Sequence, residues 1–361
     1  MIDDLRELIE DFCSTLGLSG HERRIRQRIE ARLGDLQTDV DALGNLWMTI
    51  PGNTDAPSVM IFTHMDQLGF VVRKIEEDGF LRLERVGGVP ERALASQAVT
   101  ICGRDGDIVG VIANKSHHAT AADEKYQVVR YHDLYVDAGF GSKSDAETAG
   151  ISIGTPVVYR PNIIQLQGTR IAGTTIDDRA GCAVLVLLSR LLASRSDGPT
   201  VHLAFTTQEE FNLRGAEPLA RRLAPDIAIQ IDLMLASDTP DMRNHGDMHL
   251  GKGPGISLYS FHGRGTLNGV IPHPALVNLF EDAAAATNLP LQRSAQTGIL
   301  TDLSYVQLQG HGVAAIDVGF PMRYSHSSLE VCDLSDLADL VSLLDAAISR
   351  IGPEFDTRAG R

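Results

Sequence analysis

Residues 201–215 read VHLAFTTQEEFNLRG: an apolar strand pattern runs into Thr206, Thr207 and Gln208 and arrives at two adjacent glutamates, Glu209 and Glu210. Side chains on neighbouring residues diverge, so the two carboxylates cannot serve one target in the same way. One can bind a cation while the other handles a proton. An isolated acidic pair in such a place is ordinarily a solvated helix start, where negative charge suits the helix dipole. The flanking sequence therefore decides whether this pair carries chemistry.

On its N-terminal side, 58–62 has the pattern of a buried strand and ends in THMD at 63–66. On a strand His64 and Asp66 face the same way, which suits a metal-ligand histidine beside a carboxylate that orients it or its neighbours. Nearer by, Thr174, Thr175 and Ile176 lead into Asp177, Asp178 and Arg179, and 180–192 is a strongly apolar helix opening straight after the acids. Such an acidic pair caps a helix or delivers a carboxylate to the edge of a sheet. On the C-terminal side come a helix over 217–223, an apolar strand 226–231 ending in Asp232, and a strand 313–318 followed by FPMRYSHS at 320–327, which carries His326. The final helix, 333–350, has Leu334, Leu337, Leu340, Val341 and Leu344 on one face.

The texture differs between 70 and 162. Short alternating segments are separated by the turn signals EDG (77–79), VGG (86–88) and GRDG (103–106), which predicts a compact barrel or sandwich carrying one short helix at 142–150. His117 and His118 within it read as solvated loop histidines, and Asp137 as a turn residue. Ahead of this region, 1–16 forms an amphipathic acidic helix, and Ser19 can cap a second helix with Ile25, Ile29 and Leu33 on one face. The overall reading is one α/β domain interrupted by a β-rich insertion.

The 361 residues suffice for a large core and about two domains. With 32 basic and 47 acidic residues the formal charge is −15, which argues against a nucleic-acid or anionic-membrane surface. The first residues lack the basic start and apolar block of a signal peptide, and the longest apolar run, 182–188, is far too short to span a bilayer. Cys13, Cys102, Cys182 and Cys332 are scattered, without zinc-ribbon or redox-pair spacing, and read as reduced thiols of a cytoplasmic protein.

The polar residues converge. His64, Glu209, Glu210 and Asp232 sit at the carboxyl ends of predicted strands, Asp177 opens a helix and His326 follows a strand; in open α/β sheets ligands collect at that edge. A His, Asp and Glu set without thiolates suits Zn²⁺, Co²⁺ or Mn²⁺. Two such ions need a bridging carboxylate. Asp177 can bridge, leaving His64 with Asp232 on one ion and Glu210 with His326 on the other. Glu209 stays unliganded, as a general base should. The ions lower the pKa of a shared water to about 7, Glu209 takes its proton, and the hydroxide attacks a polarised carbonyl. Glu209 then passes the proton to the departing amine, so the reaction class is metal-assisted amide hydrolysis.

These residues stand in six ordered blocks: THMD with LGF (63–70), IDDRAG (176–181), QEE (208–210), IQID (229–232), GKGP (251–254) and RYSHS (323–327). Through them the chain, over nearly its whole length, resembles the co-catalytic metallo-aminopeptidases that include glutamyl aminopeptidase and the tetrahedral (TET) aminopeptidases. The resemblance implies His64, Asp177, Glu210, Asp232 and His326 as ligands of two divalent ions per subunit, zinc first with cobalt or manganese as alternatives. It implies Asp177 as the bridge, Glu209 as catalytic acid/base and Asp66 as the carboxylate supporting the site. It further implies a zinc-peptidase α/β catalytic domain, its mixed sheet covered by helices on both faces, formed by 1–69 and 163–361. Within it, 70–162 would be an inserted, PDZ-like β-barrel for dimerisation. Dimers assembling into a hollow dodecamer, and trimming of N-terminal residues from short peptides, belong to the same expectation.

Departures fall at Gln67, where the family often has an acid, at TGILTD (297–302) in place of a Gly-rich approach to an Asp, and at His117-His118, where a Pro-His pair is common. They leave the ligands untouched and bear on the substrate pocket and oligomer contacts. Glutamyl, leucyl and lysyl preferences all occur among relatives. Arg264 and Arg323 are the arginines that can attract an acidic side chain, although each is more ordinarily a surface or structural residue. Two other function classes compete. Glycoside hydrolysis of the endoglucanase type uses paired acids and no histidine ligands, so His64 and His326 count against it. A non-catalytic peptide-binding shell would be favoured by the loss of a ligand or of Glu209, and none is missing.

Overall fold

In the computed structural model, which describes residues 1–195, 197–263 and 268–358, the opening stretch becomes the strand Val201–Thr206 in a mixed sheet. Side by side lie Asp39–Val40, Leu46–Ile50, Val201–Thr206, Val59–His64, Ile227–Leu235, Ala314–Met322, Gly255–Phe261 and Gly269–Val270, with Gln292–Thr297 pairing onto Gly255–Phe261. The run from Val201–Thr206 to Ala314–Met322 is parallel, and antiparallel strands flank it on both sides. Arg264 lies outside the described residues.

Strand alternation sends side chains to two separate cores. Val59, Ile61, Leu203, Phe205, Ile229, Ile316 and Val318 pack against the helices Ile2–Cys13, Arg23–Leu33, Ile176–Ala193, Pro274–Thr287 and Leu334–Ile348. Met60, Phe62, Ala204, Ala228 and Ala315 face the opposite way, onto Ala216–Leu223 and Leu303–Val306. The helices therefore cover both faces, as the resemblance to the aminopeptidase family implied. Ile176–Ala193 touches the sheet, the first helix and the last, which explains why it is apolar all round. In the last helix Leu334, Leu337, Leu340, Val341 and Leu344 are all fully buried.

Between Gly69 and Tyr159 the β-rich texture resolves as a closed six-stranded barrel rather than a sandwich. Its interior is filled by alternate residues such as Phe70, Val72, Leu83, Val99, Ile101 and Val157. His117 and His118 lie exposed on its surface. A small antiparallel sheet of Ile163–Gln165, Arg170–Gly173 and Glu330–Asp333 then leads into Asp177.

Two local expectations are corrected. Ser19 does not cap the second helix, Arg23–Leu33, which begins after Glu22 without a side-chain cap. Its hydroxyl instead donates to Asp66 Oδ2 at 2.5 Å, because a buried carboxylate needs donors more than a solvent-facing helix end does. The strand carrying Asp232 does not stop there. Its ladder with Ala314–Met322 runs on to Leu235, so Asp232 lies inside the strand. Among the described residues no helix is long and apolar enough to cross a membrane, and the four cysteines are unpaired.

Candidate metal centre

His64 closes the strand Val59–His64, and Asp232 projects from Ile227–Leu235, its immediate neighbour in the sheet. Asp177 enters from the irregular first turn of the helix Ile176–Ala193, where Asp177 and Asp178 have non-helical backbone angles and their shared peptide is cis. Glu210 and His326 arrive on loops that follow strands. The structure brings all five together in two groups that share Asp177: His64, Asp177 and Asp232, and Asp177, Glu210 and His326. In each group one ligand atom per residue lies within 4.8 Å of the others.

The two oxygens of Asp177 serve different partners. Oδ1 is 3.0 Å from His64 Nε2, and Oδ2 is 3.5 Å from His326 Nε2, which also lies 3.6 Å from Glu210 Oε2. Both histidines present Nε2 inward. For His326 the outward nitrogen is fixed by Gly88, whose carbonyl oxygen is 2.9 Å from Nδ1. A carbonyl only accepts, so Nδ1 keeps a proton, and in the neutral ring that a metal binds Nε2 is the nitrogen with the lone pair. His64 Nδ1 lies 3.4 Å from Asp66 Oδ1, near but not aligned as a hydrogen bond. A carboxylate or carbonyl behind each imidazole is the usual support of a metal-ligating histidine.

Asp66 does more than sit behind His64. Its Oδ1 accepts the amide N–H of Glu209 at 3.0 Å and its Oδ2 that of Glu210 at 3.2 Å. One residue earlier, Gln208 adopts a left-handed φ of 56° and its N–H is taken by the buried Glu22 carboxylate at 3.1 Å. Three consecutive amides are thus held by two acids from elsewhere in the chain. Glu330, also buried, bridges the other loops, accepting from Asp177 N at 3.0 Å and from His326 N at 2.7 Å. Thr175 and His326 share the left-handed conformation with Gln208, at φ of 60° and 68°, a cost of about 1–3 kcal/mol each that concentrates at this edge.

The electrostatics fit a cation. Burial pushes Glu210 and Asp232 each up to about 7, and repulsion from Asp177 adds to it. Asp177 is the exception: burial opposes its ionisation, but hydrogen bonds from His326 and His64 outweigh it and hold the carboxyl low. So many buried acids repel unless positive charge enters among them. Two imidazoles and three carboxylates, with no thiolate, form a donor set for Zn²⁺, Co²⁺ or Mn²⁺. Glu209 belongs to neither group. It is buried in the field of His64 and Asp232, and burial first, then the neighbouring acids, raises its carboxyl well above the usual range.

Glu22 and Glu330 escaped the sequence reading. The only local signal was an acid in an apolar strand, EVCD at 330–333, and an acid next to a helix start. Arg323, a candidate for attracting acidic side chains, is occupied by Asp238 through a bidentate pair of 2.7 and 2.6 Å.

Comparison with known proteins finds a family and several relatives that share this fold. The family model described as M42 glutamyl aminopeptidase matches residues 44–343. SgcX of Escherichia coli (strain K12), named only provisionally as an aminopeptidase, is 38% identical over 94% of this chain and 91% of its own. Aminopeptidase APDkam598 from the archaeon Desulfurococcus kamchatkensis superposes with a TM-score of 0.92 at 33% identity, covering 98% of this chain and 97% of that one. The Pyrococcus horikoshii TET1 peptidase, which can assemble into a tetrahedron or a large octahedral shell, superposes with a TM-score of 0.87 at 29% identity, covering 96% and 100%.

Proposed function

The chain belongs to the M42 glutamyl aminopeptidase family, and from this premise we propose that it is a metal-dependent aminopeptidase removing N-terminal residues from short peptides. The observation that carries the reading is Asp177, one carboxylate turned to two histidines at 3.0 and 3.5 Å. His64 and Asp232 would hold one divalent ion, Glu210 and His326 a second, and Asp177 both, with zinc first and cobalt or manganese as alternatives. Bound there, the ions supply Lewis acidity toward the scissile carbonyl and toward water.

The remaining chemistry falls to the protein. Glu209, buried and with its proton affinity raised, takes a proton from the attacking water and returns it to the departing amine. Asp66 supports the site by clamping the amides of Glu209 and Glu210, so the base and the ligand keep their separation. Residues 1–69 and 163–361 form the catalytic domain in this reading, and 70–162 an inserted dimerisation unit. Dimers would then build a tetrahedral dodecamer in the reducing cytoplasm; a tetrahedron is one of the forms into which the TET1 peptidase can assemble. Hydrolysis of a sugar bond by paired acids leaves His64 and His326 without a task and is not proposed.

Metal stripping followed by reconstitution with Zn²⁺, Co²⁺ or Mn²⁺, assayed on aminoacyl-p-nitroanilides, tests the class. Activity indifferent to the chelator would falsify it. Glu209→Gln is expected to lower kcat by about 10²–10⁴-fold while metal content is unchanged. Wild-type turnover in that variant rules out the assigned base.

A further inference from the structure

Beside Asp232 the sheet carries a narrow cleft, open at its mouth, whose enclosed part is about 20 Å³, room for one small polar head group while the stem of a side chain lies in the mouth. Its walls are rich in oxygen: Ser257, Ser260, Ser294, Gln296, Thr301 and Asp317 line it together with Asp232 itself. Strand register explains the gathering. Ser257 pairs with Ser294 and Ser260 with Gln296, and Asp317 stands opposite Gln230, two residues from Asp232 and on the same face of the sheet.

The acceptors outnumber their donors. Asp317 is 4% exposed; its Oδ1 accepts from Thr301 Oγ1 at 2.8 Å, while its Oδ2 has no partner. Ser260 Oγ and Gln296 Oε1 are also buried and unpartnered. No lysine, arginine or histidine is among the described residues that line the cleft. A buried carboxylate with one of its oxygens unmet is costly unless a donor, preferably a cation, reaches it.

We propose that this cleft receives the side chain of the substrate's N-terminal residue and selects a basic one, lysine or arginine, through Asp317. The inference rests on the aminopeptidase reading, in which a peptide held at the centre has its first side chain against Asp232, the residue common to centre and cleft. An ammonium or guanidinium brings donors only, matching an acceptor-rich wall. Met234 and Ile299 supply apolar surface for the aliphatic stem. An acidic side chain would meet the Asp317 carboxylate with no cation beside it. An apolar one would leave Asp317 unmet.

The test compares kcat/KM of the metal-loaded enzyme on Lys-, Arg-, Leu- and Glu-p-nitroanilide, in the wild type and in Asp317→Asn and Ser260→Ala. Expected in the wild type is a preference for Lys and Arg of at least about tenfold over Leu, and larger over Glu. Asp317→Asn should lower the Lys-to-Leu ratio by at least about tenfold, chiefly through KM, and Ser260→Ala by less. A wild type that prefers Leu or Glu, or an Asp317→Asn variant that slows Lys and Leu equally, overturns the proposal while leaving the aminopeptidase reading intact. Failure on all four substrates instead overturns that reading. In that case calorimetric binding of lysinamide against leucinamide decides the cleft separately: tighter lysinamide binding, lost in Asp317→Asn, supports it, and equal affinities reject it.

Discussion

His64 and Asp232 stand on neighbouring parallel strands, fixed by the backbone ladder of the sheet and almost wholly buried, whereas Glu210 and His326 stand on loops, with His326 33% exposed. The first pair needs little beyond strand register to stay in place. The second is held by borrowed groups: Asp66 and Glu22 clamp the 208–210 amides, Glu330 ties His326 to Asp177, and Gly88 fixes the imidazole. The same donor chemistry is thus reached in a rigid way and in a conditional way. The loop half is expected to be the weaker metal site and the more easily tuned one.

The sharpest probe of that asymmetry is the pair His64→Ala and His326→Ala. Removing His64 leaves buried acids uncompensated, so turnover is expected to fall on the order of 10³-fold or more and stability by about 3–5 kcal/mol. Removing the partly exposed His326 should also abolish most turnover, yet cost less than about 1 kcal/mol and leave one ion bound after dialysis. Elemental analysis and urea unfolding report both, and equal losses of metal and stability would break the comparison.

A smaller effect is expected from Glu330→Ala. It frees the amides of Asp177 and His326 together, and should weaken metal binding by about 10–100-fold without removing a ligand. Glu330→Gln keeps an acceptor oxygen and should recover part of the loss. Competition with a metal indicator dye measures this, and unchanged affinity in Glu330→Ala means the loop half is self-supporting.

The smallest effect lies in pH dependence. Burial first, then the charge of Asp66, pushes Glu22 from its ordinary 4.5 to about 7 in the folded state. The folded chain then holds a proton that the unfolded chain has released. Glu22 therefore contributes stability that is complete below about 4.5 and lost as pH rises through about 7. Glu22→Gln should flatten the urea-stability profile across that window, by at most about 3 kcal/mol. An unaltered slope would remove Glu22 from the account of how the 208–210 loop is held.

The same asymmetry governs what could be read from sequence. The strand half announces itself locally, because a buried-strand pattern running into THMD places His64 at the end of its strand, and IQID puts Asp232 on a strand, although that strand runs on to Leu235. The α/β texture and the apolar helix after Asp177 were read from the pattern in the same way, whereas the mixed sheet covered on both faces came from the resemblance to the aminopeptidase family. Glu209 and Glu210 were legible as an acidic pair at a strand end, and the structure puts Glu210 in one ligand group and Glu209 in neither. Their scaffolding was not: the Glu22 carboxylate reaches Gln208 from 186 residues away and Glu330 reaches Asp177 across 153. Side chain-to-amide bonds over such separations leave no period and no spacing. Ser19 was misread for the same reason, since its partner Asp66 is invisible to a local capping rule.

Gly88 belongs to the loop that leaves the barrel strand Leu81–Val86, and a Cβ there would come within 3.0 Å of His326 Nδ1. The barrel is therefore not an appendage that can be pruned to leave a leaner enzyme. Excising it would remove the proton acceptor that decides which nitrogen of His326 is bare. The imidazole would be free to exchange tautomers, and part of its population would offer an N–H where a lone pair is required.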